Sequence, residues 1–286
     1  MIKVSNLTYI YQPGMPYEKK ALDDVSFEVP TGSFTAIIGH TGSGKSTLIQ
    51  HLNALTRPAS GKIEIDGVDI TDPKCDLREV RKNVGLVFQY PEHQLFEETV
   101  FKDIAFGPHN MGLSEDEIKQ RVYEAARFVG LSEELMEKSP FELSGGQKRR
   151  VAIAGVLSMQ PRVLILDEPT AGLDPRGRDE ILGQLVQLHK ENKEMTILLV
   201  SHSMEDVAKI AESVIVMNHG RLAMHGSVAE VFERSAELKT MGLDVPQITE
   251  LAQRLIADGI DIAPDIYTVK YASELFGRLI KEAENV

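Results

Sequence analysis

The chain has 286 residues and a formal net charge of −12, from 43 acidic and 31 basic side chains. This length is enough for one large domain or two modest ones with a substantial core, and the acidic balance argues against a protein that binds nucleic acid through bulk electrostatics. The only cysteine, Cys75, excludes a disulfide framework and a thiolate metal site. Since no apolar run approaches the roughly 18 to 20 residues that span a bilayer, we expect an intracellular protein whose membrane role, if it has one, goes through a partner.

Short strands separated by turns are predicted in the N-terminal part of the chain, at 2–8, 25–29, 34–38 and 62–66. Alternating polar and apolar residues at 26–29 and 63–65 favour half-exposed antiparallel strands, whereas the continuous apolar run at 34–38 favours a buried parallel strand. The segment 11–16 contains Pro and Gly and predicts a loop. Tyr9 or Tyr11 has a ring suited to stacking on an adenine, although a strand tyrosine more often packs in a core.

The segment after strand 34–38 has the spacing G-x-x-x-x-G-K-[ST], which is typical of a phosphate-binding loop that opens a helix. Its glycines permit positive φ and close approach, so that N–H groups converge on an anion at the positive helix N-terminus. We expect Lys45 along the β- and γ-phosphates of a nucleotide and the Ser46 hydroxyl as a ligand of Mg²⁺. The predicted nucleotide-binding residues of this loop are Gly39, His40, Thr41, Gly42, Ser43, Gly44, Lys45, Ser46 and Thr47.

A second buried strand, 84–88, leads into Gln89, and a block with helical periodicity follows from Pro91 to about Met159. Within this block, Ser114 and Glu117 have the spacing of a capping box at the start of a helix. The pattern predicts a helical subdomain inserted into the sheet.

The helical block ends with the sequence Leu-Ser-Gly-Gly-Gln, at residues 143–147. Its serine hydroxyl and two glycine amides would stand at a helix N-terminus, which suits a second phosphate contact. Ser144 is also a good N-cap without any ligand. Two consecutive glycines, however, start a helix poorly unless close backbone approach is needed.

Four aliphatic residues at 163–166 predict a buried parallel strand that ends in Asp167 and Glu168. Open α/β sheets bind ligands at the carboxyl ends of their strands. Asp167 is therefore predicted to hold Mg²⁺ opposite Ser46, directly or through water. Glu168 is predicted to orient and polarise the attacking water as a general base. Taken alone, the pair could be a solvated acidic turn.

The next predicted parallel strand, 196–200, leads to His202. A lone histidine is more often structural, but at this edge of the sheet it is a candidate γ-phosphate contact that donates a hydrogen bond where charge develops. Between the two strands, Asp174 follows Gly172 and Leu173 in a turn. On sequence physics alone Asp174 is a helix N-cap.

After a strand at 214–217, a hairpin turn and a short strand at 221–226, the composition changes. Residues 241–286 contain two short amphipathic patterns, which can pack on the main body or on a partner chain. Their apolar faces are Ile248, Leu251, Ala252 and Leu255, then Ala272, Leu275, Phe276 and Leu279. The predicted domains are 1–240, with the helical block 91–159 inserted, and a C-terminal helical extension, 241–286.

Six motifs in this order resemble the nucleotide-binding subunits of ABC transporters over roughly residues 1–235. They are the phosphate loop, the glutamine after a strand, Leu-Ser-Gly-Gly-Gln, the Asp-Glu strand end, the Gly-Leu-Asp turn and the strand-end histidine. The resemblance implies an α/β P-loop NTPase with a mostly parallel core sheet, an N-terminal antiparallel β subdomain, an inserted α-helical subdomain and a small helical C-terminal extension.

The same resemblance implies that two ATPase subunits lie head to tail and bind ATP and Mg²⁺ between them. By matching position, Tyr11 stacks on the adenine and Gln89 senses the γ-phosphate and Mg²⁺. The implied catalytic residues are Glu168, His202 and Gln89, and the implied metal ligands are Ser46, Gln89 and Asp167. The implied contacts to the neighbour's ATP are Ser144, Gly145, Gly146, Gln147 and Asp174.

Narrower features resemble the ATPases of energy-coupling-factor (ECF) transporters, namely the runs 90–100 and 103–108 and the loop 11–18. Residues 145–150 and 242–248 are similar to the second, A-prime type. The resemblance implies a peripheral subunit on the cytoplasmic face of a bacterial-type cell membrane. Its implied partners are a second, different ABC ATPase, a transmembrane T component and an S component that captures a vitamin or metal ion, with no nucleic acid. The segment Tyr90–Phe96 is the candidate docking groove for the T component, with Leu95 and Phe96 as exposed anchors or as core residues.

Two other hypotheses are less consistent with the sequence. A soluble ABC-type ATPase acting on nucleic acid or ribosomes usually has a long coiled coil, tandem ATPase halves or basic linkers, whereas this chain has one phosphate loop and net acidity. A purely structural or regulatory subunit has no physical need for a phosphate-binding lysine together with a metal ligand and a base.

Overall fold

The strands of the protein form two sheets in a computed structural model that describes residues 1–263 and 265–284. In chain order they are β1 (Ile2–Tyr11), β2 (Lys19–Val29), β3 (Phe34–Ile38), β4 (Ser60–Ile65), β5 (Val68–Asp69), β6 (Val84–Val87), β7 (Val163–Asp167), β8 (Thr196–Val200), β9 (Ser213–Asn218) and β10 (Arg221–Ser227). The order β2-β1-β4-β5 makes an antiparallel sheet, and the order β10-β9-β3-β8-β7-β6 makes the core sheet.

The helices lie between and after these strands. In chain order they are α1 (Lys45–Leu52), α2 (Leu77–Asn83), α3 (Val100–Asn110), α4 (Glu115–Phe128), α5 (Gly145–Leu157), α6 (Pro175–Glu191), α7 (Met204–Ile210), α8 (Val228–Glu233), α9 (Ser235–Thr240), α10 (Gln247–Ala257) and α11 (Val269–Glu284). Among the helices of the described residues, none combines the length and the apolarity needed to cross a bilayer.

The core sheet is parallel from β9 through β6, and β10 closes one edge as an antiparallel hairpin strand. Every residue of β3, β6, β7 and β8 is buried, because a parallel sheet is covered on both faces and its strands are apolar throughout. The segments that follow β3, β8, β7 and β6 therefore lie side by side, in this order, at the carboxyl-terminal edge of the sheet. This edge holds the predicted site.

The antiparallel sheet has the half-exposed pattern that the alternating residues predict. Its buried side chains, such as Leu7, Leu22 and Ile63, share one core with Leu48 of α1 and Ile37 of β3. The sheet therefore packs against the first helix and the core sheet, beside the phosphate loop.

The block between β6 and β7 is helical, as predicted. It contains a 3₁₀ turn at Pro91–Gln94, α3, α4, two further 3₁₀ turns at Glu133–Leu135 and Pro140–Glu142, and α5. Ile104, Val122 and Val151, one from each helix, belong to a core that continues into Leu164 of β7. The helical subdomain therefore packs against the core sheet through a shared apolar core.

The C-terminal extension packs on the main body. Leu243 and Val245 are buried in one cluster with Val216 of β9 and Phe232 of α8. Helices α10 and α11 lie where the amphipathic patterns predict them, but Leu251 is exposed and Thr249 is buried in its place. Thr249 takes the inner position because its hydroxyl donates to the Ile266 carbonyl. The side chain of Leu279 lies outside the described residues.

Two other local predictions differ from the structure. Strand β1 runs to Tyr11, beyond the predicted end at Thr8, because Tyr11 pairs with Lys19 at the start of a longer β2. Helix α2 was not predicted, since Val80 is its only buried residue and one apolar position gives no periodicity.

The predicted capping box at Ser114 and Glu117 forms only in part. The Ser114 side chain accepts from the Glu117 N–H, but the Glu117 carboxylate accepts from Arg121 one turn later. The ion pair with Arg121 thus replaces the return bond of the box.

Candidate active site

The phosphate loop begins at the carboxyl end of β3 and leads into α1, as its spacing predicts. Gly42 and Gly44 have φ of 82° and 105°, and Gly44 is the N-cap of α1. A Cβ on Gly44 would lie 2.6 Å from the Ala21 carbonyl oxygen of β2. The loop is therefore held tightly against the antiparallel sheet, with its backbone N–H groups at the start of a helix.

Lys45 is buried within this loop, where its ammonium donates to the Gly39 carbonyl at 2.6 Å and to the His40 carbonyl at 3.2 Å. Burial lowers the pKa of Lys45, while the charges of Glu168 and Asp167 oppose that shift. Beside it, the Ser43 hydroxyl is buried without a hydrogen-bond partner within the described part of the chain. The Lys45 ammonium and the Ser43 hydroxyl are thus two buried donors inside the loop, and the oxygens of a bound anion could accept hydrogen bonds from both.

Ser46 and Asp167 lie together across the gap between α1 and β7. The Asp167 side chain is buried, and burial and the charge of Glu168 raise its pKa to about 6, against the opposing hydrogen bond from Ser46 and the charge of Lys45. A hydroxyl and a carboxylate are hard oxygen donors of the kind that Mg²⁺ takes, with water and substrate phosphate completing its six ligands. The pair thus fits Mg²⁺, although no group of three or more His, Cys, Asp and Glu side chains in the described residues is placed to hold a metal.

Glu168 stands between Gln89 and His202. Its carboxylate oxygen Oε2 accepts from the Gln89 amide at 2.9 Å, and Oε1 lies 2.6 Å from His202 Nε2. Its backbone has φ of 50°, an uncommon conformation for a residue other than glycine. The Glu168 N–H donates to the Val200 carbonyl at 3.0 Å and holds the residue there. Strained residues of this kind cluster at functional sites, and the arrangement fixes a carboxylate where a water would be oriented.

Tyr11 lies next to α1, where its hydroxyl is 3.1 Å from the Thr47 hydroxyl. Its ring packs edge-on against Tyr9 at 4.8 Å between centroids and is partly exposed. A cavity of about 120 Å³ separates this end of the antiparallel sheet from the loop. Its lining consists of Tyr11, Lys19, Ala21, Gly42, Gly44, Lys45, Ser46 and Thr47. The structure thus brings Tyr11 to the loop that is predicted to bind phosphates.

His40 and Thr41 form the outer side of the loop. His40 Nε2 lies 3.2 Å from the Asn218 side-chain oxygen, and its Nδ1 lies 2.8 Å from the Thr41 carbonyl. The His40 ring also lies 4.9 Å from that of His219. These contacts attach the loop to the hairpin between β9 and β10.

Ser144 is the N-cap of α5 and makes a complete capping box with Gln147. The Gln147 N–H donates to the Ser144 hydroxyl at 3.3 Å, and the Ser144 N–H donates to the Gln147 side-chain oxygen at 3.0 Å. Ser144 and Gly145 are exposed, and a Cβ on Gly145 or Gly146 would meet nothing within 4 Å. The N-cap interpretation is therefore confirmed. This helix start is exposed on the helical subdomain, and its residues are not among those that line the cavity beside the phosphate loop.

Asp174 is the N-cap of α6, as its turn predicts. Its side chain accepts from the Gly177 N–H at 2.9 Å. It lies at an exposed position at the start of the helix that follows the Glu168 turn.

The segment Tyr90–Phe96 divides between core and surface. Leu95 is 8% exposed and belongs to the core of the helical subdomain, so of its two predicted roles the core residue holds and the exposed anchor does not. Phe96 is 57% exposed and packs edge-on against Phe106 at 4.9 Å between centroids. Consecutive residues in an extended stretch point to opposite sides, which explains why only one of the two is available. A groove of about 810 Å³ lies alongside, lined in part by Gln94, Phe106 and Met159.

Two ion pairs near the site, each with at least one buried side chain, were not predicted. The guanidinium of Arg149 is bonded to Glu92, and that of Arg178 to Asp206. Each pair joins residues far apart in sequence, so no local spacing could reveal it. The buried charge of Arg149 within the run Lys148-Arg149-Arg150 gave no signal, because basic runs usually face solvent.

The chain matches the ABC transporter family over residues 22–171. It is 59% identical over 285 residues to the energy-coupling factor transporter ATP-binding protein EcfA2 of Caldanaerobacter subterraneus subsp. tengcongensis. The alignment covers 100% of this chain and 99% of that relative. The protein of the same name from Clostridium acetobutylicum is 58% identical over 284 residues and covers 99% of each. The resemblance to relatives thus extends through the C-terminal extension.

Solved structures share the fold. The structure of cbiO1 from Clostridium perfringens, described as part of the ABC transporter complex cbiONQ, has a TM-score of 0.74 at 42% identity and covers 88% of this chain and 98% of its own. The ATP-binding cassette MJ0796, in a dimeric post-hydrolysis state bound to ADP and Pi, has a TM-score of 0.72 at 29% identity and covers 80% of this chain and 99% of its own.

Proposed function

Since this chain belongs to the ABC transporter family, as an ATP-hydrolysing subunit of the energy-coupling-factor type, we propose that its hydrolysis of ATP drives uptake of a vitamin or another micronutrient. The observation that carries the catalytic part is the Glu168 carboxylate held between Gln89 and His202, beside the phosphate loop. The relatives are named as ATP-binding proteins of a transporter, which favours this proposal over a soluble ATPase acting on nucleic acid or ribosomes.

Binding of ATP starts with the loop. The backbone N–H groups of 39–47 and the N-terminus of α1 attract the phosphates, and Lys45 exchanges its bonds to two loop carbonyls for bonds to phosphate oxygens. A charged acceptor makes a stronger bond with the ammonium than a neutral carbonyl does. Tyr11 is proposed to stack on the adenine from the side of the cavity beside β1.

Ser46 and Asp167, with Gln89 nearby, are the proposed ligands of Mg²⁺, directly or through water. When bound, Mg²⁺ neutralises charge that develops on the transferred phosphoryl group.

Hydrolysis requires a water in line with the γ-phosphate. Glu168 is proposed to accept a hydrogen bond from this water and to polarise it, because its carboxylate is fixed at both oxygens and lies next to Lys45 and Asp167. His202 Nε2 lies against one carboxylate oxygen, and we propose that its N–H turns from this oxygen to donate to the γ-phosphate as charge develops. Gln89 holds the other oxygen and is proposed to report whether the γ-phosphate is present.

The opposite side of each ATP is proposed to come from a second ATPase subunit. Ser144, Gly145, Gly146 and Gln147 present an exposed, capped helix start, which suits a phosphate held by a neighbour. Asp174 lies at a second exposed helix start and is proposed to act across the same interface. We propose that the neighbour is a different chain, so that the pair is a heterodimer.

Transport needs a membrane partner, and the groove beside Phe96 and Phe106 is the proposed contact with the T component. An apolar groove with a few exposed anchors is suited to an amphipathic helix. The complete assembly would include an S component that captures the substrate. The chain is then a peripheral subunit on the cytoplasmic face of a bacterial cell membrane, and co-purification from membranes with identification of the associated subunits tests this assembly.

The variant Glu168→Gln tests the catalytic proposal. The amide keeps the size of the side chain and removes its basicity, so ATP binding should persist while steady-state turnover of the co-purified assembly falls by about two or more orders of magnitude. Fluorescent-nucleotide binding and phosphate release are the two measurements. Glu134→Gln, an equivalent change at an exposed position of the helical subdomain, should leave both unchanged. Undiminished turnover by the Glu168 variant would contradict the mechanism.

A further inference from the structure

The buried guanidinium of Arg149 joins three segments around the site. The Arg149 side chain is 4% exposed. Its Nε and Nη2 donate to the two carboxylate oxygens of Glu92 at 3.1 and 3.0 Å. Its Nη1 donates to the carbonyls of Pro169 at 3.2 Å and Ala171 at 2.5 Å. One side chain thus makes four hydrogen bonds to two separate stretches of chain.

Each of these stretches carries a residue of the proposed mechanism. Glu92 lies three residues after Gln89, in the 3₁₀ turn Pro91–Gln94. Pro169 directly follows Glu168, and Arg149 itself lies two residues after Gln147 on α5. The guanidinium therefore connects the start of α5 to the two segments that hold the γ-phosphate contacts.

The pair is suited to fixing orientation more than to adding stability. Arg and carboxylate meet here as two parallel bonds, a geometry that defines direction as well as distance. Buried pairs of this kind are often no more stable than apolar residues of the same volume, since desolvation offsets their attraction. Burial of Glu92 raises its pKa, but the hydrogen bonds and charge of Arg149 outweigh burial, so the pKa of this carboxyl lies below its usual value. Glu92 is thus held as a charged acceptor at neutral pH.

Any displacement of the Gln89 or Glu168 segment must move the groups to which Arg149 is bonded. Because Arg149 belongs to α5, the displacement acts on the helix whose first turn is Gly145, Gly146 and Gln147. Helix α5 is a rigid element with a complete capping box at that end, so a movement at Arg149 reaches Ser144 with little loss.

We propose that Arg149 and Glu92 form a positioning pair that transmits the state of Gln89 and Glu168 to the start of α5. The pair then sets when Ser144–Gln147 meet the ATP held by the neighbouring ATPase, so occupancy of one site controls completion of the other. This role rests on the proposed function. It is a coupling between two nucleotide sites through one side chain that contacts neither nucleotide.

The test compares Arg149→Met, Glu92→Met and the double variant in the co-purified assembly. Each single change leaves one buried group without its partner and should lower the melting temperature by several degrees. The double change should recover part of this loss, since it removes the unpaired charge but leaves the Pro169 and Ala171 carbonyls without their donor. Turnover at saturating ATP should nevertheless remain about tenfold lower in the double variant, a typical size for a coupling between sites. The KM for ATP, and fluorescent-nucleotide binding by this chain alone, should stay within about twofold of wild type.

The matched control is Arg121→Met with Glu117→Met, an ion pair within α4 of the same helical subdomain, which should not alter turnover. Recovery of wild-type turnover in the Arg149–Glu92 double variant would show a purely structural pair and overturn the proposal. A loss of ATP affinity as large as the loss of turnover would also overturn it. Glu168→Gln in the same assembly tests the proposed function separately, since it can abolish turnover whatever the double variant does.

Discussion

Replacing Gly44 with alanine should destabilise the protein more than the same change at Gly42, two residues earlier in the loop. Both glycines have positive φ, 105° and 82°. Their surroundings differ, because a Cβ on Gly44 would lie 2.6 Å from the Ala21 carbonyl oxygen and 3.1 Å from Leu22, whereas a Cβ on Gly42 would meet nothing within 4 Å. The pair therefore separates the cost of backbone conformation from the cost of a steric clash.

The expected magnitudes follow from these two terms. An alanine forced into a left-handed conformation costs about 1–2 kcal/mol, and this is the whole effect expected for Gly42→Ala. At Gly44 the added methyl also meets a backbone carbonyl of β2, which cannot rotate away, and overpacking of this kind costs about 1–3 kcal/mol more. Gly44→Ala should therefore lower the free energy of unfolding by about 2–5 kcal/mol.

Urea unfolding measures the difference, provided that the m-value stays constant and only the midpoint moves. Fluorescent-nucleotide binding should weaken in both variants, because each shifts loop N–H groups. Equal destabilisation by the two changes would refute the reasoning, since it would mean that the contact between Gly44 and β2 carries no energy.

Two other pairs of variants have clear expected outcomes. Tyr11→Phe keeps the ring and removes only the hydroxyl bonded to Thr47, so fluorescent-nucleotide affinity should change little, whereas Tyr11→Ala should cost about 1–3 kcal/mol of binding if the ring stacks on adenine; equal affinities in the two variants would exclude stacking. Arg178→Met removes the ionic partner of the Asp206 carboxylate, which is 1% exposed and keeps only the Thr170 hydroxyl as a side-chain donor, and should cost about 1–3 kcal/mol of stability. Lys209→Met, which removes an exposed pair, should cost less than about 1 kcal/mol, and similar urea midpoints for these two variants would contradict the argument.

Much of the site was predictable because its signals are local. The phosphate loop is defined by glycine and lysine spacing within nine residues, and the strand ends at Asp167, Glu168 and His202 follow continuous apolar runs. A buried parallel strand needs apolar residues on both faces, so the end of each run marks where polar groups reach the sheet edge. The N-caps at Ser144 and Asp174 were likewise visible as residue types at helix starts.

The orientation of neighbouring side chains was less predictable. Leu95 and Phe96 are both large and apolar, and only packing of the helical subdomain decided that Leu95 is buried and Phe96 exposed. Leu251 was assigned to a buried face that Thr249 occupies instead, because the Thr249 hydroxyl found an acceptor inside the C-terminal extension. Apolar periodicity ranks positions by hydrophobicity and does not detect a hydrogen bond that a polar side chain makes in the core.

The sequence by itself determined most of the elements, the chemistry at their ends and the family, because each of these is encoded by residues close together in the chain. Only the tertiary structure decided which ends meet. The strand order β3-β8-β7-β6 places Glu168 between Gln89, 79 residues away, and His202. The same folding buries Arg149 against Glu92, 57 residues away. Contacts at such separations depend on how strands are ordered in the sheet, and no periodicity within a single element specifies that order.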